Sequence, residues 1–338
     1  MADLATFAAQ HRTIEYTTPS SETFDTLRAL WSHPEIVPSG IICPSTIQEV
    51  GTVVAFLAKS NIPFTVRAGG HDMQGRSTKD DTLIQSEGFM TPVGSISQVG
   101  YVGWAMYGGY GAYSAHFGLG VDQIAAAKIG RGVAFGVIVE MTTKIYPLDK
   151  ILAGVVMYKS DDLVKVIRQY NRAYRALAAE GLPDALSVHQ CVISAPAPTL
   201  ALLCITDEVA NVIAHYTSNA PKEPHIIYDV HQLRATSPSA KPNPDAVFST
   251  REGHFVHEIT AVVQDEKNLE AAQTWGREFQ EALQKTSADN ILPASYVSYL
   301  TREEFNHDKI FGEHLPFLRE LKTKYDPENV FKEAISYL

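Results

Sequence analysis

The chain has 338 residues, 45% of them hydrophobic and 20% charged, with a formal net charge of −10. At roughly 150 residues per domain this length suits about two folded domains, and an acidic balance with no cluster of Lys and Arg argues against a nucleic-acid surface. Cys43, Cys191 and Cys204 are odd in number, lie in apolar runs and lack metal-ligand spacing, so they read as small core residues and no disulfide framework is expected. The N-terminal stretch has an early Asp3 and no long apolar core. It reads as neither a secretory signal nor an anchor, so a cytoplasmic protein without membrane partners is expected.

In chain order, Ser20 or Ser21 can cap a short helix over 20–33, with Phe24, Leu27 and Leu30 on one face and Pro34 beyond its end. Residues 40–67 read as a β-α-β unit. A strand at Ile41-Ile42-Cys43 leads into capping pairs, Ser45 with Gln48 and Thr46 with Glu49. The helix then carries Ile47, Val50, Val53, Val54 and Leu57 on one face, and a second strand runs from Pro63 to Val66.

That strand delivers the chain into 67–77, Arg67-Ala68-Gly69-Gly70-His71-Asp72-Met73-Gln74-Gly75-Arg76-Ser77. Glycines leave backbone N–H groups uncovered, and several in a row can form an anion-binding nest suited to a phosphate-bearing ligand. Residues 88–122 interleave glycines with Tyr101, Trp104, Tyr107 and Tyr110, too apolar for a linker, and suggest backbone packed closely against something large and flat. Dinucleotide and P-loop fingerprints do not fit: Gly109-Tyr110-Gly111 is followed by Ser114 where a third glycine belongs.

A strand is expected over 133–146, ended by Pro147. Beyond it come a strand at 151–158, a helix at 161–180 opened by Asp161-Asp162 and closed by Gly181, and strands near 185–193 and 199–206. A Pro/Ser-rich loop from Arg234 to Asp245 precedes a strand at 253–263, a helix at 266–284 and a terminal helix near 313–324. The second half thus predicts an antiparallel sheet covered by helices on one side.

Taken jointly, RAGGHDMQGRS at 67–77, the glycine-aromatic run at 92–111, HFGLGVDQI at 116–124, FGVIVEMTTKIYPL at 135–148, YVSY at 296–299 and KYDPENVF at 324–331 resemble the berberine-bridge-enzyme-like branch of the vanillyl-alcohol-oxidase superfamily of FAD enzymes. The resemblance implies an α+β chain: an FAD-binding domain of the PCMH type over 1–148, a substrate domain over 149–310, and a tail at 311–338 returning to the FAD domain. It implies hydride removal from an alcohol, sugar, amine or phenolic small molecule, as in secondary metabolism, with molecular oxygen able to reoxidise the flavin. Oxidase and dehydrogenase behaviour stay open.

Carried over by residue, His71 matches the covalent attachment point on the flavin, a neutral imidazole being a competent nucleophile. Arg67, Gly69, Gly70, Gly75 and Ser77 would line the pyrophosphate, and Val93 and Gly94 belong to the neighbouring cofactor segment. Gly103, Gly108, Gly109 and Gly111 would let backbone approach the isoalloxazine and ribityl chain, and Val137 and Val139 would contact the adenine. Where many members have a second, cysteine link, this chain reads Gly94-Ser95-Ile96-Ser97, so attachment through His71 alone is expected. Tyr296 and Tyr299 match a catalytic Y-x-N-Y element, with Ser298 in place of the asparagine. A phenol needs a lowered pKa or a relay partner to act as a base near neutrality.

Other polar groups read as structural. His254 and His257, three apart on a strand, point to opposite faces and should not share a metal. His189-Gln190 reads equally as a pocket pair or a satisfied strand pair. Lys322 and Lys324 read as a solvated helix end. Two family segments are missing, one after Leu83-Ile84-Gln85 and one after Lys128-Ile129. Three accounts follow: a flavoenzyme with a trimmed domain, a natural protein longer than this chain, or a flavin-free descendant using the inherited pocket as a cyclase or isomerase.

Overall fold

A computed structural model describes residues 4–29, 37–66, 89–95, 99–129, 137–147, 150, 152–154, 156, 160, 162–183, 186–193, 200–202, 205–221, 225–243, 246–248, 250–263, 265–300 and 305–331. Near the N-terminus lie α1 (Leu4–Gln10), β1 (Glu15–Thr17), α2 (Phe24–Arg28), β2 (Ile41–Cys43) and α3 (Ile47–Lys59). Helix α3 starts where its capping box predicts. Thr46 accepts the Glu49 N–H at 3.2 Å while the Glu49 carboxylate accepts the N–H groups of Thr46 and Ser45.

The helix ends in a Schellman turn. Asn61 takes the left-handed conformation at φ 51°, its N–H reaches the Ala58 carbonyl, and the Ile62 N–H reaches that of Leu57. Its buried stripe, Val53 and Leu57, packs on Phe7 and Ile14.

Two expectations here need correction. β2 pairs antiparallel with β1, and residues 63–66 form no strand, so no β-α-β unit exists among the described residues. Helix α2 covers only 24–28 and starts after Thr23, because the Ser21 hydroxyl is taken by the Thr18 N–H.

Next come β3 (Phe89–Met90), α4 (Tyr101–Met106), α5 (Ser114–Phe117), β4 (Ile124–Ile129), β5 (Ile138–Thr143) and β6 (Tyr146–Pro147). β4 pairs antiparallel with β5. Ala125 to Lys128 are exposed. The strand expected at 151–158 is not formed by its described residues, and Leu152 and Val156 are exposed.

The second half is built from α6 (Leu163–Glu180), β7 (His189–Ile193), β8 (Leu200–Leu202), α7 (Asp207–Ser218), β9 (His225–Leu233), β10 (His254–Val262), α8 (Leu269–Gln284), α9 (His307–Phe311) and α10 (Leu315–Tyr325). β7, β9, β10 and β8 lie in that order in one antiparallel sheet. One face, carrying Tyr228, Val230 and Ile259, packs on Ile167, Val209, Ile213, Trp275, Phe279 and Leu283 of α6, α7 and α8. This is the helix-covered antiparallel sheet that the sequence predicts.

On the other face, Leu233 and Val256 pack against Tyr110, Leu119 and Tyr296. Arg251 fastens the two halves across this contact. Its guanidinium holds both oxygens of Asp122 at 2.9 and 3.0 Å, and Asp122 also accepts from Asn243 and from the Leu119 N–H.

At the C-terminal end Lys322 is not solvated. It is buried in an ion pair with Asp326, whose carboxylate also accepts the N–H groups of Val330 and Phe331. The Phe331 ring then meets Phe64 edge-on at 5.7 Å. The spacing looked like a helix end in water because nothing local reveals that the turn after Asp326 folds back over Lys322.

Candidate functional site

The glycine-aromatic run supplies one wall. Gly108 and Gly109 have φ of 119° and 80°, where a β-carbon is strained, and their carbonyls accept from Val121 and Gly120 at 2.9 Å. A β-carbon on Gly109 would lie 2.8 Å from the Gly120 backbone. One on Gly111 would lie 2.1 Å from the Val93 carbonyl oxygen, and one on Gly120 would lie 2.4 Å from the Trp104 ring. Trp104 is the buried body these glycines close around, its Nε1–H donating to the Tyr110 carbonyl at 2.7 Å.

Tyr296 brings the far end of the chain to this wall. It stands at the head of a one-turn 3-10 helix, Val297–Tyr299. Its hydroxyl accepts the Gly109 N–H at 3.2 Å, and its ring sits edge-on to Tyr110 at 5.0 Å and to Phe248 at 6.4 Å. Burial, opposed by hydrogen bonds to Ser298 and the Gly109 backbone and assisted by the Glu258 charge, raises the phenol to about 12. It therefore holds its proton at neutral pH. The Tyr299 side chain falls outside what is described.

The third wall is the face of the sheet turned away from α6, α7 and α8, which the sequence left unassigned. The His254 Nδ1 lies 2.6 Å from the Glu252 carbonyl oxygen, which can only accept, so Nδ1 carries the hydrogen and Nε2 accepts from the Tyr110 hydroxyl at 2.9 Å. His257 points the other way, into the helix-covered core against Tyr228, and burial pushes it down to about 3. The two histidines are thus on opposite faces, as their spacing requires. Past His254 on the same face lie Asp229, His231 and Glu258. His231 Nε2 is 3.2 Å from Asp229 and 3.4 Å from Glu258. Burial alone would lower it, but the two carboxylates outweigh burial and lift it to about 9. Alternation along β9 and β10 could have flagged these residues, since Asp, His and Glu recur at the period-2 positions of otherwise apolar strands.

The other expected residues are distributed as follows. Arg67, Gly69, Gly70, His71, Gly75 and Ser77 all lie outside the described residues. Val93 is exposed, Gly94 packs beside Trp104, and Val137 and Val139 are half-buried in and beside β5. Gly103 differs from the other glycines: it is exposed on α4 and a β-carbon there would meet nothing within 4 Å. Gly109 and Gly111 are packed closely against Gly120 and Val93, whereas the Gly103 and Val93 side is exposed.

Comparison with known proteins gives the following likenesses. A family profile described as FAD binding domain matches residues 38–91, and one described as berberine and berberine like matches 295–336. The FAD-linked oxidoreductase aurO of Gibberella zeae is 22% identical, over 93% of this chain and 84% of its own length. That alignment runs to 432 residues against a chain of 338, so the relative has stretches with no counterpart here, in keeping with the two missing segments.

Among solved structures, BBE-like 1 of Physcomitrella patens superposes with a TM-score of 0.73 at 13% identity over 97% of both chains. The 6-hydroxy-D-nicotine oxidase of Arthrobacter nicotinovorans gives 0.73 at 17% over 94% and 96%. A berberine bridge enzyme variant in complex with (S)-reticuline gives 0.74 at 15% over 98% and 97%. At these identities the likeness establishes the fold, which is the α+β arrangement of PCMH-type proteins.

Proposed function

We propose that this chain, which resembles the berberine-bridge-enzyme-like FAD-linked oxidoreductases in motifs, family profiles and fold, removes hydride from a medium-sized organic substrate at the Tyr296 site, with the flavin attached through His71. The observation that carries this reading is the meeting of Tyr296, from the berberine-like segment, with the Gly108-Gly109 turn and the sheet face turned away from the helices.

FAD, when bound, supplies the hydride acceptor. The chain's own residues do the rest. Gly109 fixes the Tyr296 oxygen, Tyr110 and Phe248 hold its ring, and this packing excludes water from the phenol. At rest Tyr296 keeps its proton and offers a hydrogen-bonding hydroxyl to a substrate oxygen or nitrogen. To take a proton from the substrate it must overcome chiefly the burial that raises it, the Glu258 charge adding the smallest part. Tyr299, one 3-10 turn further on, is the second candidate. Sugars, phenols, alcohols and amines all match a site with phenols, carboxylates and imidazoles in its walls, and molecular oxygen is the proposed final acceptor.

Absorbance of the purified protein before and after acid precipitation tests this. Flavin bands that stay with the pellet, and that move to the supernatant or vanish in His71→Ala, are the expected result. Colourless protein would overturn the oxidoreductase reading and leave the pocket-enzyme account. With flavin present, Tyr296→Phe should cut turnover by roughly 10²-fold or more on a panel of sugars and benzylic alcohols while leaving the flavin bound.

A further inference from the structure

Asp229 and Glu258 are direct partners across the β9–β10 ladder, and His231 is the next residue of β9 on the same face. Like charges placed opposite each other on a sheet repel, and here they do so on side chains only 22% and 18% exposed, around an imidazole only 6% exposed. Such a pair persists when positive charge sits between its members. The three residues present one ligand atom each, all within 4.8 Å of one another.

Both carboxylates are also oriented. Asp229 Oδ1 accepts the Val230 N–H at 2.8 Å and Glu258 Oε1 accepts the Thr260 hydroxyl at 3.0 Å, while Oδ2 and Oε2 are the oxygens nearest His231 Nε2. Supporting hydrogen bonds of this kind aim ligand atoms in built metal sites.

We propose that Asp229, His231 and Glu258 bind a divalent transition-metal ion through Oδ2, Nε2 and Oε2 beside Tyr296. Bonds of about 2.0–2.2 Å from a four-coordinate Zn2+ place neighbouring ligands about 3.3–3.5 Å apart, and the two nitrogen–oxygen separations here are 3.2 and 3.4 Å. One imidazole with two carboxylates suits Zn2+ or Mn2+ rather than a soft cuprous ion, and three protein ligands leave a position for water or a substrate oxygen. A cation here would also offset the Glu258 charge felt by Tyr296. The inference does not depend on flavin being bound.

The test is metal titration of the full chain, purified, treated with a chelator and desalted, using Zn2+ and Mn2+ in separate runs against a chromophoric competitor. One tight site per chain is expected, together with a metal-dependent rise in Tm. Asp229→Asn and Glu258→Gln keep side-chain volume and should each weaken binding by roughly tenfold or more, and His231→Gln likewise. Circular dichroism without metal checks that each variant is folded, and Asp229→Asn alone suffices if the others are not. Absence of a stoichiometric site in the wild type, or binding unchanged in these variants, overturns the proposal and leaves His231 as an imidazolium held between two carboxylates.

Discussion

Glycines that look alike in the sequence behave differently once packed. Gly109→Ala must accept a positive φ and a contact of 2.8 Å with backbone, so it should destabilise by about 2–4 kcal/mol in urea unfolding. Gly103→Ala meets nothing and should leave Tm unchanged or slightly raised, since alanine favours a helix. Gly103→Leu is the sharper probe. A protein that stays folded but loses flavin absorbance would place the cofactor against α4, and undiminished flavin content would remove Gly103 from the binding surface. The sequence supplied the glycines, but not which of them face the chain itself.

Helix α3 carries its own start signal, and that signal is titratable. Glu49 is held below the ordinary carboxyl range chiefly by the Thr13 hydroxyl, then by the Ser45 N–H. A carboxylate with a depressed folded-state pKa stabilises above its unfolded value, and the gain disappears as pH falls through the folded value. Amide exchange in the first turn of α3 should therefore accelerate as pH drops below 4.5, after correction for intrinsic rates, and Glu49→Gln should lose that dependence. Elsewhere the local signals were present but unread: Thr206 caps α7 by accepting the Val209 N–H, with Asp207 and Glu208 in its first turn. β4 was hidden because Ala125, Ala126 and Ala127 have poor strand propensity, and it forms because β5 lies alongside.

Across the whole molecule, the two halves are held by a charge pair that no local pattern announces. Asp122 and Arg251 are 129 residues apart. Their side chains are 15% and 9% exposed, so Asp122→Asn leaves a largely buried guanidinium without its bidentate acceptor and should cost about 3 kcal/mol or more in denaturant unfolding. An unchanged midpoint would show that the contact between the sheet face turned away from the helices and Tyr110, Leu119 and Tyr296 suffices alone. The exposed β4–β5 hairpin lies at the same scale. Its antiparallel pairing satisfies the backbone of β4 while leaving Ala125 to Lys128 exposed.

The sequence by itself determined the helix-covered sheet, the capped α3 helix, the opposite aim of His254 and His257, and the family resemblance. Each rests on spacing along one element or on a motif of contiguous residues. Tertiary structure alone decided that Tyr296 meets Gly109, that Trp104 is enclosed, that Lys322 is buried against Asp326, and that Asp229, His231 and Glu258 converge. Those outcomes depend on register between strands distant in sequence and on which chain segment fills the space beside a glycine, and neither is written in local periodicity.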